Sequence, residues 1–111
     1  TREYNIASTI MGMNNIYYRF LHLSKDVQCN QLPAGLRMQS MMNHGISEID
    51  FELYSIAVSS ITGCGMCIES HNKTLQKKHG VPASSIQSVI RIAAVIHAAS
   101  QALIMEYAII N

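Results

Sequence analysis

The stretch from Glu52 to His71, ELYSIAVSSITGCGMCIESH, indicates both the fold and the chemistry of this chain. Two residues separate Cys64 from Cys67, His71 follows the second cysteine by four positions, and Glu52 precedes the first by twelve. Apolar residues on most sides of the segment before Gly63 predict a buried helix that ends there, and a second helix should start near Cys64. The sequence therefore places two thiols at the junction of two helices.

The four side chains have a pattern that favours redox chemistry. At about 100° per residue, Cys64, Cys67 and His71 lie at roughly 0°, 300° and 340° around a helix, so they share one face. The free N–H groups of a helix N-terminus favour a thiolate at Cys64. Glu52, in apolar surroundings, is expected to pair with His71 as a proton relay. Two neighbouring thiols suit redox work because, once one is oxidised, the other attacks it and closes a disulfide.

Other interpretations of these residues stay open. Cys64, Cys67, His71 and Glu52 also amount to four acceptable zinc ligands, although structural zinc sites more often join two separated pairs. The cysteines could also be inert. A thioredoxin-like protein would need strands around its C-x-x-C motif, and this chain has no alternating strand pattern of useful length. The helical surroundings favour a redox pair.

The rest of the sequence predicts a single all-α domain over residues 1–111, a bundle of about five helices with the C-x-x-C at a helix N-terminus. The predicted helices share apolar residues at helical intervals and cover residues 3–22, 33–43, 48–63, 64–79 and 85–107. Segment 24–32 is expected to be a loop, with Pro33 opening the second helix and Ser47 capping the third. The last helix, apolar almost all round, is expected to be central, with His97 in the core.

Composition excludes some classes of function. Eight Lys or Arg and seven Asp or Glu give no broad attraction to nucleic acid or anionic membranes. With 14% charged and 49% hydrophobic residues, some apolar surface is expected to face other subunits. The least polar run, Ile92 to Met105, is shorter than the ~20 residues that a membrane span needs, so no span is predicted. Three cysteines and no signal pattern favour a reducing cytoplasm, with Cys29 as a free thiol.

Glu52, Cys64, Cys67 and His71 resemble the E-x11-C-x-x-C-x3-H signature of the alkyl hydroperoxide reductase D (AhpD) family, within the carboxymuconolactone decarboxylase-like superfamily. The resemblance extends over nearly the whole chain. It includes residues 11–20 (MGMNNIYYRF), 32–39 (LPAGLRMQ), 51–64 (FELYSIAVSSITGC), 71–75 (HNKTL) and the Ala-rich final helix.

The resemblance implies a helical, trimeric, thiol-dependent peroxidase that reduces hydroperoxides and the disulfide of its peroxiredoxin partner, AhpC. It implies no bound cofactor and no metal. Electrons would come from dihydrolipoyl groups on a lipoylated 2-oxoacid dehydrogenase component. Full-length members have a further helical portion ahead of the point where Thr1 falls, so the chain resembles their C-terminal, catalytic portion.

The resemblance also implies a role for each site residue. Cys67 would form the sulfenic acid or mixed disulfide, Cys64 would be the proton donor and resolving thiol, and Glu52 with His71 would relay protons. The helix-terminus argument alone favours Cys64 as the more acidic thiol, whereas the resemblance assigns the peroxide chemistry to Cys67. Some members carry histidine between the cysteines, where this chain has Met66, so any proton transfer by that histidine is absent or supplied elsewhere.

Two other functions are kept as alternatives. The superfamily name points to a decarboxylase acting on a small lactone acid, which would leave two thiols without work. A helical interaction module stabilised by zinc, with no enzymatic activity, would use the same cysteines as metal ligands.

Overall fold

Helices form all the regular secondary structure among the residues that the computed structural model describes, 2–36 and 45–110. In chain order the elements are α1 (Arg2–Ser24), α2 (Val27–Gln31), α3 (Glu48–Thr62), α4 (Gly65–Lys73), a π-helical segment (Thr74–Lys78) and α5 (Ala83–Ile110). The all-α class predicted from the sequence is confirmed, as is the C-x-x-C at the start of a helix.

Helix α3 organises the fold because three other helices, α1, α4 and α5, contact it. One face packs on α1 in a cluster made by Ala7, Ile10, Met11, Phe51 and Val58. Another joins the π-helical segment and α5 in a cluster made by Ile56, Leu75 and Ile86. Burial on several sides explains why the sequence of α3 is apolar nearly all round. Its predicted limits are confirmed: the Ser47 hydroxyl accepts the Asp50 N–H at 3.2 Å, and Gly63 ends it in the left-handed conformation.

The segment between α1 and α3 differs from the prediction. The predicted loop at 24–32 contains the short helix α2, because the Asp26 carboxylate caps its N-terminus by accepting the N–H groups of Gln28 and Cys29. Residues 33–36 are not helical, and Gly35 has a φ of 69°, so Pro33 does not open a helix. The remainder of that predicted helix, residues 37–43, lies outside the described residues.

The predicted helix at 64–79 is present but changes its winding. After α4 the chain widens into the π-helical segment, which buries Leu75 completely against the α3–α5 cluster. Gly80, at a φ of 63°, ends it as expected, and the Val81 N–H donates to the Leu75 carbonyl at 2.9 Å. The apolar spacing gave no sign of the π turn, since one wider turn barely alters a helical period. Such turns frequently lie at functional sites.

Helix α5 is not central, and this prediction was wrong. Only Ile86 and Ala93 of α5 are buried, and His97 is exposed rather than in the core. The reason is length: at about 1.5 Å per residue the 28 residues of α5 span roughly 42 Å, whereas the 15 residues of α3 span roughly 22 Å. Nearly half of α5, about 20 Å, therefore extends past its partner. By length and composition alone α5 could also cross a membrane, which the shorter window considered in the sequence did not reveal.

Candidate functional site

The turn between α3 and α4 sets the position of the first cysteine. Gly63, with a φ of 79°, lets the chain reverse, and the Ser59 carbonyl accepts both the Gly63 N–H at 2.9 Å and the Cys64 N–H at 3.1 Å. Cys64 is then the N-cap residue of α4, with extended backbone angles. The left-handed conformation at this position favours glycine, because glycine has no Cβ atom.

Cys64 and Cys67 are joined by a disulfide, with their Cα atoms 5.3 Å apart. This Cα separation lies within the range that a disulfide spans without backbone movement. The Cys67 N–H also points at the Cys64 sulfur at 3.3 Å, so that sulfur caps α4. Cys64 is fully buried, whereas Cys67 retains 5% of its surface. The two sulfurs that the sequence paired are thus bonded to each other, and they differ in access.

Glu52 and His71 form a close pair between α3 and α4. The Glu52 Oε2 atom lies 2.6 Å from the His71 Nδ1 atom, and the side chains are only 14% and 8% exposed. An ionised carboxylate can only accept a hydrogen bond, so the Nδ1–H of His71 donates and the other ring nitrogen, Nε2, remains for proton exchange. The pairing expected from the sequence is present in the structure.

A cavity of about 290 Å³ lies beside Cys67 and His71. Its lining is mostly apolar and consists of Met11, Asn14, Tyr18, Met66, Cys67, Ser70 and His71. Cys67 and His71 therefore face the same space, whereas Cys64 does not line it. Sequence reasoning assigned Asn14 no role at the site. An asparagine within an apolar helical pattern was the available signal, because a buried amide requires polar partners or a polar site.

A second imidazole lies beside the cysteine turn. A Cβ at position 65 would be 3.5 Å from the Cε1 atom of His22, which stands in the last turn of α1. The backbone between the cysteines therefore lies close to that ring. This chain has methionine at position 66, where some relatives have histidine, but it has another imidazole near the pair, that of His22. The sequence did not indicate this proximity, because 43 positions separate His22 from Gly65.

Polar side chains of α1 hold the last turn of α3. The Asn15 amide nitrogen donates to the Thr62 hydroxyl at 2.6 Å, and the Ser59 hydroxyl donates to the Asn15 amide oxygen at 3.1 Å. Arg19 donates from Nη1 to the Thr62 carbonyl at 2.6 Å. Asn15 is 1% exposed and Ser59 fully buried. This network joins α1 to the turn that carries Cys64, and sequence reasoning missed it.

Cys29 is not part of the disulfide. It is in α2, partly exposed, and free, as the sequence predicted. Desolvation raises the pKa of the Cys29 thiol, and the nearby Asp26 carboxylate raises it further through a hydrogen bond and charge repulsion. A raised pKa keeps the sulfur as a thiol rather than the nucleophilic thiolate. Cys29 is therefore a useful internal control for chemistry at the pair.

The zinc interpretation finds no support in the geometry. Within residues 2–36 and 45–110, no group of three or more His, Cys, Asp or Glu side chains is arranged to hold a metal ion. Two of the four ligands considered from the sequence, Cys64 and Cys67, are instead bonded to each other. A disulfide sulfur is not the thiolate that zinc requires.

Comparison with known proteins agrees with the family resemblance found in the sequence. The model of the carboxymuconolactone decarboxylase family matches residues 30–105. The alkyl hydroperoxide reductase AhpD of Maricaulis maris is 52% identical over 100 residues, which cover 90% of this chain and 57% of that protein. The AhpD of Coxiella burnetii is 57% identical over 100 residues, 90% of this chain and 56% of that protein. The AhpD of Hyphomonas neptunium is 50% identical over 103 residues, 93% of this chain and 57% of that protein. The chain spans a little over half the length of these relatives.

Proposed function

The chain belongs to the carboxymuconolactone decarboxylase family, and from that premise we propose that it is a thiol-dependent alkyl hydroperoxide reductase whose redox centre is the Cys64–Cys67 pair. The observation that carries the proposal is the arrangement of the pair. The two cysteines are joined as a disulfide, and Cys67 shares a cavity with His71, which is bonded to Glu52. The name of the matched relatives, alkyl hydroperoxide reductase, supports the same chemistry.

The proposed cycle begins with both cysteines reduced. The Cys67 thiolate attacks one peroxide oxygen, the O–O bond breaks, and the products are a Cys67 sulfenic acid and an alcohol that takes up a proton. The Cys64 thiol then attacks the Cys67 sulfur, forming the disulfide and releasing water. A dithiol donor returns two electrons and two protons to the disulfide and is itself oxidised to a disulfide. The sum is reduction of one hydroperoxide to alcohol and water.

The difference in access supports the assignment of roles to the cysteines. Cys67 lines the cavity, where a hydroperoxide can approach its sulfur, whereas Cys64 is fully buried and does not line the cavity. A buried thiol one helical turn away is suited to the later, intramolecular attack. Access therefore favours Cys67 over Cys64 as the peroxide-reactive sulfur, although the helix N-terminus is nearer to Cys64.

The Glu52–His71 pair supports a proton relay. The carboxylate fixes the orientation of the ring through Nδ1, so that Nε2 is free to take the thiol proton of Cys67 and return it to the leaving alcohol oxygen. Burial of both side chains limits competition from water. In this role Glu52 acts through His71 and is a positioning residue.

The cavity supports an organic hydroperoxide as substrate. Its volume of about 290 Å³ is nearly ten times the ~30 Å³ share of a water molecule in the liquid, so hydrogen peroxide would leave most of it empty. Met11, Tyr18 and Met66 present apolar surface to the organic group. Flexible methionine side chains adapt to substituents of different shape.

The proposed electron donor is the dihydrolipoyl group of a lipoylated 2-oxoacid dehydrogenase component, and the proposed partner is the peroxiredoxin AhpC. Both are dithiol or disulfide reagents, which exchange with a C-x-x-C pair through mixed disulfides. Cys67, which lines the cavity and keeps 5% of its surface accessible, is a better site for such a mixed disulfide than the fully buried Cys64. A cycling disulfide also requires a reducing compartment, which supports a cytoplasmic location.

We further propose that copies of the chain assemble as a trimer through α5. The outer part of α5, residues 94–110, exposes large apolar side chains. Among them are Leu103, Ile104 and Tyr107, whose exposed fractions are 59–71%. Such a continuous apolar face is typical of a subunit interface. Sedimentation of Leu103→Glu should show smaller species than the unchanged chain. An unchanged mass distribution would contradict assembly through this face.

Cysteine substitutions test the central proposal. Cys67→Ser and Cys64→Ser should each abolish hydroperoxide turnover with dihydrolipoamide, because each removes one sulfur of the cycle. Cys29→Ser is the matched control and should retain full turnover, since this thiol is not part of the disulfide. Undiminished turnover in either variant of the pair would refute the scheme.

The decarboxylase alternative is supported by the family name alone and gives the disulfide no part in the reaction. Carbon dioxide release from a small lactone acid after both cysteines are reduced and alkylated would favour it over the redox function. The redox proposal expects no such release.

A further inference from the structure

We infer that Asn15 is a positioning residue for the cysteine pair: through α3 it fixes the backbone of Cys64 and thereby favours the disulfide over the dithiol. The starting observation is that one buried side chain in α1 bonds to two of the three hydroxyls in the last turn of α3. Asn15 donates to Thr62 at 2.6 Å and accepts from Ser59 at 3.1 Å, across more than forty positions of sequence.

The next step runs through Ser59. Its hydroxyl is held by Asn15, and its carbonyl accepts the N–H groups of Gly63 and Cys64 at 2.9 and 3.1 Å. The Thr62 hydroxyl, to which Asn15 donates, lies 3.1 Å from the Val58 carbonyl and 3.4 Å from the Ser59 carbonyl. Asn15 is therefore connected most directly, through the Ser59 hydroxyl, to the residue whose carbonyl anchors the Cys64 backbone.

The last step connects this anchor to the sulfurs. Cys64 is the N-cap residue of α4, its Cα atom lies 5.3 Å from that of Cys67, and its sulfur faces the Cys67 N–H at 3.3 Å. A fixed backbone at Cys64 keeps its sulfur close to Cys67, which raises the effective concentration of one thiol at the other. Loss of the anchor would let Cys64 move away from α4, and the disulfide would form less readily.

The network is more than a means of satisfying a buried amide. Arg19 also binds the same turn, through a separate hydrogen bond from its Nη1 to the Thr62 carbonyl at 2.6 Å. Helix α1 thus makes three side-chain hydrogen bonds to the four residues that end α3, directly before the redox turn. The inference rests on the proposed redox cycle of the pair and adds the means by which its equilibrium is set.

The test is an equilibrium titration of the full 111-residue chain. All variants carry Cys29→Ser, so that only the pair contributes free thiols. The protein is equilibrated with mixtures of reduced and oxidised dithiothreitol. Reduced dithiothreitol gives two electrons and two protons to the Cys64–Cys67 disulfide and is itself oxidised to a cyclic disulfide. Counting protein thiols at each ratio gives the equilibrium constant. Because neither peroxide nor a lipoyl group is present, failure of the proposed peroxidase activity would not affect this result.

Asn15→Ala should move the equilibrium about fivefold towards the dithiol, the factor expected for loss of about one net hydrogen bond. Ser59→Ala should do the same, and Thr62→Val should have a smaller effect. The double variant Asn15→Ala with Ser59→Ala should shift it no further than the larger single change, because both remove one connection.

Two controls separate positioning from stability. Asn30→Ala removes another asparagine hydrogen bond, to the Asp26 carbonyl in the region of α2, and Ile86→Val weakens packing on α3 away from the turn. Both should stay within twofold of the unchanged equilibrium constant. If Asn15→Ala does not fold, Ser59→Ala and Thr62→Val decide the matter. Variants of the network that match the controls, or that shift towards the disulfide, would overturn the inference.

Discussion

In two regions of this molecule, the relation between side-chain polarity and burial is opposite. Around the cysteine pair, polar side chains are buried, among them Asn15, Ser59 and His71. In the outer part of α5, residues 94–110, large apolar side chains such as Leu103 and Ile104 are exposed. Side-chain polarity alone does not determine burial. Partners matter as well: Asn15, Ser59 and His71 have hydrogen bonds across helices, whereas the exposed apolar groups have no helix of this chain over them within the described residues.

The contrast has an energetic meaning. Leaving a buried donor or acceptor unsatisfied costs about 1–3 kcal/mol, so the hydrogen-bonded block of α1, α3 and α4 holds its geometry closely. Exposed apolar surface has no such requirement within the chain, but it favours contact with another protein surface. Precise geometry is thus concentrated where the disulfide lies, and exposed apolar surface is concentrated in the outer part of α5.

The largest expected effect compares isoleucines from the two regions. Ile56 in α3 is 2% exposed and Ile104 in α5 is 59% exposed. Ile56→Ala should lower the free energy of unfolding by about 2–5 kcal/mol, because it leaves a cavity in the cluster under the site. Ile104→Ala should change it by less than ~0.5 kcal/mol. Chemical denaturation at low protein concentration, followed by circular dichroism, measures both. Equal losses would mean that the outer part of α5 is as well packed as the site.

The second prediction compares two glutamates of α3. Glu52 is bonded to His71 beside the cavity, whereas Glu48 forms an exposed pair with Lys78. Glu52→Gln should lower kcat for hydroperoxide about 100-fold, because a neutral amide no longer stabilises the protonated ring, while the chain stays folded. Glu48→Gln is the control and should keep kcat within twofold. A Glu52→Gln variant with normal turnover would remove the relay from the mechanism.

The sequence predicted best the features that depend on neighbouring residues. The helix limits at Ser47 and Gly63 follow from capping chemistry, and the break at Gly63 placed the cysteines at a helix N-terminus. The pairing of Glu52 with His71 was expected because a carboxylate among apolar residues favours a partner. Short-range rules sufficed for the helix limits, whereas this pairing joins residues 19 positions apart.

Features that depend on distant segments were not predictable in this way. The partners of Asn15 lie more than forty positions away, and no local pattern names them. The position of α5 was wrong because an all-round apolar pattern indicates burial without saying whether the partner belongs to the same chain. Helix α2 was missed because a five-residue helix has too few turns to show a period, although the Asp26 cap was present in the sequence.

A third prediction compares methionines. Met66 lines the cavity, whereas Met105 is exposed in the outer part of α5. Met66→Ala should enlarge the cavity and raise kcat/KM for cumene hydroperoxide relative to tert-butyl hydroperoxide by about fivefold, since the bulkier substrate gains most from the added volume. Met105→Ala should leave this ratio unchanged. If the ratio does not respond to Met66→Ala, the organic group binds elsewhere.

The smallest effect concerns the edge of the block, where Glu48 meets Lys78 and His79. The hydrogen bond from Lys78 lowers the pKa of the Glu48 carboxyl below its ordinary 4.5. A carboxyl with a lower pKa in the folded state stabilises the fold at pH values above its unfolded pKa, and this contribution is lost as pH falls through the folded pKa. Glu48→Gln should therefore lower Tm slightly at pH 6, and the difference from the unchanged chain should vanish at pH values below the folded pKa.

Salt distinguishes this exposed pair from the buried one, because screening acts on charges in contact with solvent. The Tm difference caused by Glu48→Gln should shrink in 1 M sodium chloride, whereas the loss of turnover in Glu52→Gln should persist there, since the Glu52 and His71 side chains are largely buried. A salt response of the same size in both variants would contradict the distinction between a protected site and a solvated edge on one helix.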